Sequence, residues 1–225
     1  MSLFDRARDW VTTLLPVGSL RKIDSTERDT LVELLEHGRP ADRWLAAEAL
    51  GNGDPGAIGA AALSKALADP DPMLSWEAGQ ALVRINSLIA YRMLMEALKG
   101  DNVAAQSTAA AVAGTMGPMP ELKQALLAAL DSPHAAVRQG AAASLVVQPN
   151  PDAFPVLLRA LWSDPDPLAR EAMARALGGF GDPAAYNALA ARARDQGENP
   201  LVRQTAATAL GRLAQPNMSG TPATD

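Results

Sequence analysis

A pair of carboxylates two residues apart, Asp164 and Asp166, is the nearest this sequence comes to a catalytic acid and base. Both stand in Ser163-Asp164-Pro165-Asp166-Pro167, just before an Ala-rich helical pattern, where capping a helix and complementing its dipole explain them. Gly51-Asn52-Gly53-Asp54-Pro55-Gly56 spells the glycine fingerprint of a dinucleotide loop. It follows a helical pattern where that chemistry needs a strand, and Gly181-Asp182-Pro183 fills the same place later in the chain, so it is read as a turn between repeats. The 2 histidines, His37 and His134, are far apart, and neither has a second histidine at helical spacing. There is no cysteine, which excludes thiol catalysis, disulfides and cysteine-ligated metal sites. No catalytic, cofactor-binding or metal-ligating residue is assigned.

Composition narrows the functional classes further. The net charge is −5 and is not segregated: residues 1–112 carry 11 Lys or Arg against 15 acids, and the rest carry 9 against 10. A surface for bulk polyanions, nucleic acid included, is not expected from such a distribution. A membrane span needs about 20 consecutive apolar residues, and the N-terminal apolar pattern is interrupted by Asp5, Arg6, Arg8 and Asp9. The same interruption argues against a secretory leader. The cytoplasm is the default expectation, and Asn217-Met218-Ser219, although a glycosylation acceptor pattern, has no consequence there.

The elements that must position any functional side chain are helices. Residues 2–15 place Leu3, Phe4, Ala7, Trp10, Val11, Leu14 and Leu15 on one helical face, and Pro16 ends the pattern. This amphipathic helix is read first as a cap on the end of a stacked array. Docking on a partner through Leu3, Phe4, Trp10, Val11 and Leu14 is the second reading. Peripheral contact with a membrane surface is the third, disfavoured by the low net charge of the polar face. Pro16 to Ser25 is expected as a linker with a solvated basic pair, Arg21-Lys22.

From Thr26 the chain repeats itself. Leucines fall at Leu31, Leu63, Leu94, Leu126, Leu157 and Leu189, a spacing of 31 or 32. In a second series Leu50, Leu82, Ala113, Leu145, Leu177 and Leu210 are preceded four positions earlier by Ala46, Ala78, Ala109, Ala141, Met173 and Ala206, five of which are alanine. Breakers such as Asp69-Pro70-Asp71-Pro72 and Ser163 to Pro167 separate the two series within each unit. The pattern predicts six helical hairpins over residues 26–214, after an N-terminal helix and linker (1–25) and before a disordered Pro/Ser/Thr/Gly-rich tail (215–225). Val156 to Gly178 is the cleanest copy.

Asp164-Pro165-Asp166-Pro167 followed by Leu168-Ala169-Arg170-Glu171-Ala172-Met173-Ala174-Arg175-Ala176-Leu177-Gly178 resembles the HEAT repeat family. Further copies are Ala136 to Ala142 and Leu201 to Ala207, and the closer resemblance is to the short bacterial HEAT-like repeats of phycobilisome lyases. The resemblance implies an all-α, right-handed α-solenoid whose second helices line the concave face. The family's aspartate-before, arginine-within signature is matched by Asp131 with Arg138 and Asp164 with Arg170, whereas Arg43 and Arg203 have no comparable aspartate. Ser75 and Gln106 stand where the arginine belongs in the second and third units, so a ladder interaction is expected to be missing there.

In this register the outward position of each second helix holds Trp44, Trp76, Ser107, Gln139, Glu171 and Gln204. One turn on come Glu48, Gln80, Ala111, Ala143, Arg175 and Thr208. Tryptophans at equivalent places in adjacent units are expected side by side on the concave face. Among only nine aromatics in the chain, they mark a candidate anchor for a protein segment, with Glu48, Gln80 and Arg84 as polar surroundings. The alternative is that both are covered by the N-terminal helix. The leading expectation is a non-enzymatic protein-interaction scaffold or accessory subunit of a heteromeric complex. A bilin lyase-like pigment-attachment factor is the alternative that the resemblance suggests. A HEAT-like DNA glycosylase stands behind both, because the dispersed charge lacks its basic channel.

Overall fold

The computed structural model describes residues 21–117 and 119–214. The expected N-terminal helix, with Leu3, Phe4, Trp10, Val11 and Leu14, and the expected tail lie outside the described residues. Among the described residues twelve α-helices follow one another: α1 (Ser25–His37), α2 (Pro40–Gly51), α3 (Gly56–Ala66), α4 (Pro72–Ile85), α5 (Leu88–Lys99), α6 (Val103–Ala113), α7 (Pro120–Ala129), α8 (Ala135–Val147), α9 (Phe154–Ser163), α10 (Pro167–Phe180), α11 (Tyr186–Arg194) and α12 (Pro200–Ala214). They pair into six hairpins, an all-α solenoid.

Local chemistry sets the helix ends. Asp24 and Glu27 form a reciprocal capping box on α1. The side chains of Asp71, Ser87, Asn102 and Asp166 accept from the first free amides of α4, α5, α6 and α10. Pro40, Pro72, Pro120 and Pro167 open their helices, where the missing N–H costs nothing. Asn86, with φ 44°, and Gly181, with φ 68°, end α4 and α10 in the left-handed region.

One segment departs from expectation. Arg21–Lys22 is a short strand, β1, whose backbone pairs in parallel with β2, Gly53–Asp54. The chain entering the first unit lies against the turn after α2. That turn is the one spelling the glycine fingerprint, and its Asp54 carboxylate accepts from the Gly56 amide at 3.2 Å.

The core is a row of leucines between the helices of each unit and a seam of small residues between units. Leu31, Leu63, Leu94, Leu126, Leu157 and Leu189 are all buried, as are Ala46, Ala78, Ala109, Ala141, Met173 and Ala206. Second helices touch at every junction, and the first helices touch most closely over the first three. Close approach is possible because side chains are absent where helices meet. A methyl group on Gly114 would lie 2.4 Å from the Ser144 carbonyl oxygen, and one on Gly178 would lie 2.6 Å from Ala209 Cβ. Ser144 is fully buried, and its hydroxyl accepts from the Gly114 amide at 2.8 Å while donating to the Ala110 carbonyl, which ties α8 to α6.

Arginines join the units at the other end of these helices, in a pattern different from the sequence reading. Arg138 donates to the Ser132 carbonyl of its own unit at 2.9 Å and forms a bidentate pair with Asp164 of the next, both bonds 2.6 Å. Arg170 donates to the Asp164 carbonyl at 2.7 Å and pairs with Glu198 at 2.9 and 2.6 Å. Arg43 does the same with the Leu35 carbonyl and Asp69. Each arginine therefore reaches forward by one unit. Asp131 is paired with Arg159 and not with Arg138, the Asp164 carboxylate is paired with Arg138 while Arg170 takes only its backbone carbonyl, and Arg43 does have an aspartate. Hydrogen bonding to Asp164 and Glu198 raises the Arg138 and Arg170 pKa values, against the opposing effect of burial. Arg203 donates to the Gln196 side-chain oxygen at 3.0 Å.

The expected gaps are present. Gln106 keeps the backward bond, to the Leu98 carbonyl at 3.0 Å, but has no charge to reach forward. Among the described residues the Ser75 hydroxyl bonds only the Pro72 carbonyl of its own helix, and α4 with α6 is the loosest of the second-helix contacts.

Two predictions follow from the seam and the rungs. Arg138→Ala leaves the buried Asp164 carboxylate without its partner and should cost about 3–5 kcal/mol in urea unfolding, whereas Arg138→Met with Asp164→Leu should recover most of that. A loss under about 1 kcal/mol for the single variant would remove the rung from the stability of the fold. Gly178→Ala should destabilise by about 1–3 kcal/mol through overpacking. Gly211→Ala, at the same register position but facing open space, should be neutral or stabilise by up to about 1 kcal/mol through helix propensity.

Candidate docking groove

The outward positions of the second helices converge on one hollow. A groove of ≈ 620 Å³ crosses α4, α6, α8 and α10 and reaches the start of α12. Trp76 stands at one end, Leu168 and Leu201 at the other, and Ser107, Ala111, Gln139 and Ala143 form a bed of small or uncharged residues between them. Trp76 is 46% exposed, Leu168 51% and Leu201 44%, high values for side chains of this size. A second hollow of ≈ 310 Å³ continues the groove past Glu171, Arg175 and Leu201 to Gln204, Thr208 and Arg212.

The sequence register thus places Trp76, Ser107, Gln139, Glu171 and Gln204 where expected. Trp44 is different: it is half-buried and does not line the groove. Its counterpart in the next unit is the bulky Trp76, whereas the counterpart of Trp76 is Ser107, so the second tryptophan has open space beside it. No ring contact joins the two tryptophans among the described residues.

Glu48, Gln80 and Arg84 also lie outside the groove lining. Arg84 forms an ion pair with Glu77. Burial pushes the Glu48 carboxyl up, the nearby Glu77 charge adds to this, and Arg84 opposes it. Glu48, Glu77 and Arg84 form an electrostatic cluster bridging α2 and α4.

Other groove residues were passed over in the sequence. Leu168 and Leu201 occupy the second position of their helices, where the other units carry Ala41, Met73, Ala104 and Ala136. Met73 is 67% exposed. The signal was available: a large apolar residue in three of six copies, three positions before the outward one. Glu171 and Arg175 read as ordinary surface residues, yet Glu171 is buried. It accepts from Arg175 Nε at 3.2 Å and from the Thr205 hydroxyl at 2.9 Å, a link from α10 to α12. Gln139 Nε2 stands 3.4 Å from the Asp166 carboxylate, which leaves that carboxylate to its capping role.

A different aromatic surface lies on the first helices. Trp162 is 50% exposed, with the Arg192 guanidinium 4.4 Å from its ring centre. The same guanidinium donates to the Leu161 and Trp162 carbonyls at 3.1 and 2.8 Å and also meets Glu198. Among the described residues no helix is long and apolar enough to cross a membrane.

Comparison with known proteins agrees with this architecture. The family model for HEAT repeats matches residues 28–114, 92–174 and 163–222. No curated protein matches the chain. Among solved structures, human deoxyhypusine hydroxylase in complex with glycerol is similar at 25% identity over 84% of this chain and 74% of that one, with a TM-score of 0.46. Two engineered proteins are similar at 21% and 20% identity, with TM-scores of 0.45 and 0.49. The first alignment covers 85% of this chain and 59% of that one, and the second 95% and 97%. These likenesses are too distant to carry an argument about activity. With HEAT repeat matches running over most of its length, the chain belongs to the HEAT repeat family.

Proposed function

We propose that this protein is a non-enzymatic scaffold that holds a segment of a partner protein in the groove of its second helices. The observation that carries the reading is the half-exposed Trp76 facing Leu168 and Leu201 across a bed of small residues. Large apolar side chains cost free energy in water, and burying each of them contributes about 1.5–3 kcal/mol. Tryptophan set in a shallow groove is the kind of residue that dominates binding energy when a partner covers it. The HEAT repeat family provides the rigid curved frame. The narrower likeness to the phycobilisome-lyase repeats would put a pigment in the same groove. The charges lining it, Glu171 with Arg175 and Arg212 beyond, offer no basic track for a nucleic-acid backbone.

The test starts from a stoichiometric partner recovered at native expression level. In calorimetry, Trp76→Ala should weaken its binding by at least about 30-fold, the effect of a hot-spot residue. Trp44→Ala should change it by less than about fivefold. Equal affinity of the Trp76 variant would refute the reading, as would a bilin that binds where no protein does.

A further inference from the structure

The groove is not uniform in charge along its length, and this bears on what fits it. Towards the Trp76 end Arg84 pairs with Glu77, and the Glu48 carboxyl beside them is disfavoured as an anion by burial and by the Glu77 charge. The middle, across α6 and α8, is lined by Ser107, Thr108, Ala111, Gln139 and Ala143 and carries no charge. At the far end two guanidiniums, Arg175 and Arg212, line the same hollow as a single carboxylate, Glu171. That carboxylate is already committed, to Arg175 and to the Thr205 hydroxyl. Arg212 is exposed and has no ion pair among the described residues. The far end therefore holds an unbalanced positive charge, beside the exposed Leu201.

Resting on the docking reading above, we propose that the groove selects an extended partner segment that is apolar at the Trp76 end and carries carboxylates at the Arg175–Arg212 end. A carboxylate there gains two guanidinium partners without displacing Glu171, whereas a lysine would face Arg212 with its only countercharge already engaged. The distances set the length. Neighbouring helices pack about 10 Å apart, so the three steps from α4 to Arg175 on α10 cover about 30 Å, Arg212 on α12 being one step further. An extended chain spans that in about nine residues at roughly 3.3 Å each. Apolar and acidic positions in the segment should therefore be separated by about nine residues, with an aliphatic residue against Leu168 and Leu201 shortly before the acidic end. An uncharged segment would leave Arg212 solvated and gain nothing from it. A basic one would be repelled.

The experiment uses the full chain and a displayed library of random peptides about 12 residues long, enough to span the groove. Peptides enriched on the wild-type protein are synthesised and measured by fluorescence anisotropy against Trp76→Ala, Arg212→Gln and Arg212→Glu. Among the described residues Arg212 makes no ion pair, so its variants should fold as the wild type does, and circular dichroism checks this. The expected result has three parts. Enriched peptides pair an apolar end with Asp or Glu at the other, Trp76→Ala abolishes binding, and Arg212→Glu weakens binding about tenfold at low salt. The wild-type affinity should also fall as salt rises, with the Arg212→Glu affinity falling less. Peptides that need Trp76 but show no acidic preference, or are indifferent to Arg212→Glu, would overturn the charge selection and leave the docking reading standing. If no enriched peptide depends on Trp76, both fail together. Peptides that bind only chains truncated after Ala214 would assign the far end to this chain's own C-terminal residues and overturn the proposal.

Discussion

The second helices can lie side by side only because each presents glycine or alanine to the next. A β-carbon at Gly114 or Gly178 would sit inside the neighbouring helix, and Ala46, Ala78, Ala109, Ala141 and Ala206 fill the rest of the seam with the smallest side chains available. The first helices instead meet their partners through leucine. Small residues on one side of each unit and large ones on the other make every unit a wedge, and stacked wedges leave a hollow on the narrow side. The groove is a direct consequence: the helices that approach most closely are the ones whose outward residues line it.

Electrostatics fixes how the wedges are joined. Arg43, Arg138 and Arg170 each hold a carbonyl of their own unit and a carboxylate of the next. These contacts are paired, largely buried and bidentate, so breaking one leaves an uncompensated charge that solvent reaches poorly. Rungs of this kind are missing on α4 and α6, where Ser75 and Gln106 replace the arginine. Junction three to four has a substitute in the buried Ser144 hydroxyl. Junction two to three has neither, and there the second helices pack least closely. Trp76, with Pro72 and Ser75, lies on one side of that junction and the other groove residues lie on the other.

Most of the fold was legible because it is written in leucine spacing and in proline and aspartate breakers, which are local signals. The outward register was legible for the same reason, and it placed Ser107, Gln139, Glu171 and Gln204 in line with Trp76. The partners of the arginines were not. Sequence proximity pairs Asp131 with Arg138, but the side chain of Arg138 lies nearer the loop of the following unit than its own aspartate, a fact of stacking that spacing does not encode. Trp44 and Trp76 occupy identical register positions, yet one is half-buried and the other exposed, and the register does not encode the size of the neighbour in the next unit, Trp76 beside the first and Ser107 beside the second. The Arg21–Lys22 strand was invisible for a similar reason, because two residues carry no periodicity and the pairing depends on a turn some thirty positions away.

Hydroxyl-radical footprinting of the full chain with and without its protein partner tests most directly whether the second-helix groove is the working surface. The method reads side-chain exposure, and the structure offers two sets of exposed reporters on opposite faces: Met73, Trp76, Leu168 and Leu201 on the second helices, and Trp162, Tyr186 and Leu88 on the first. Protection confined to the first set is the expected result. Protection of Trp162 and Tyr186 with Trp76, Leu168 and Leu201 still oxidised would contradict it.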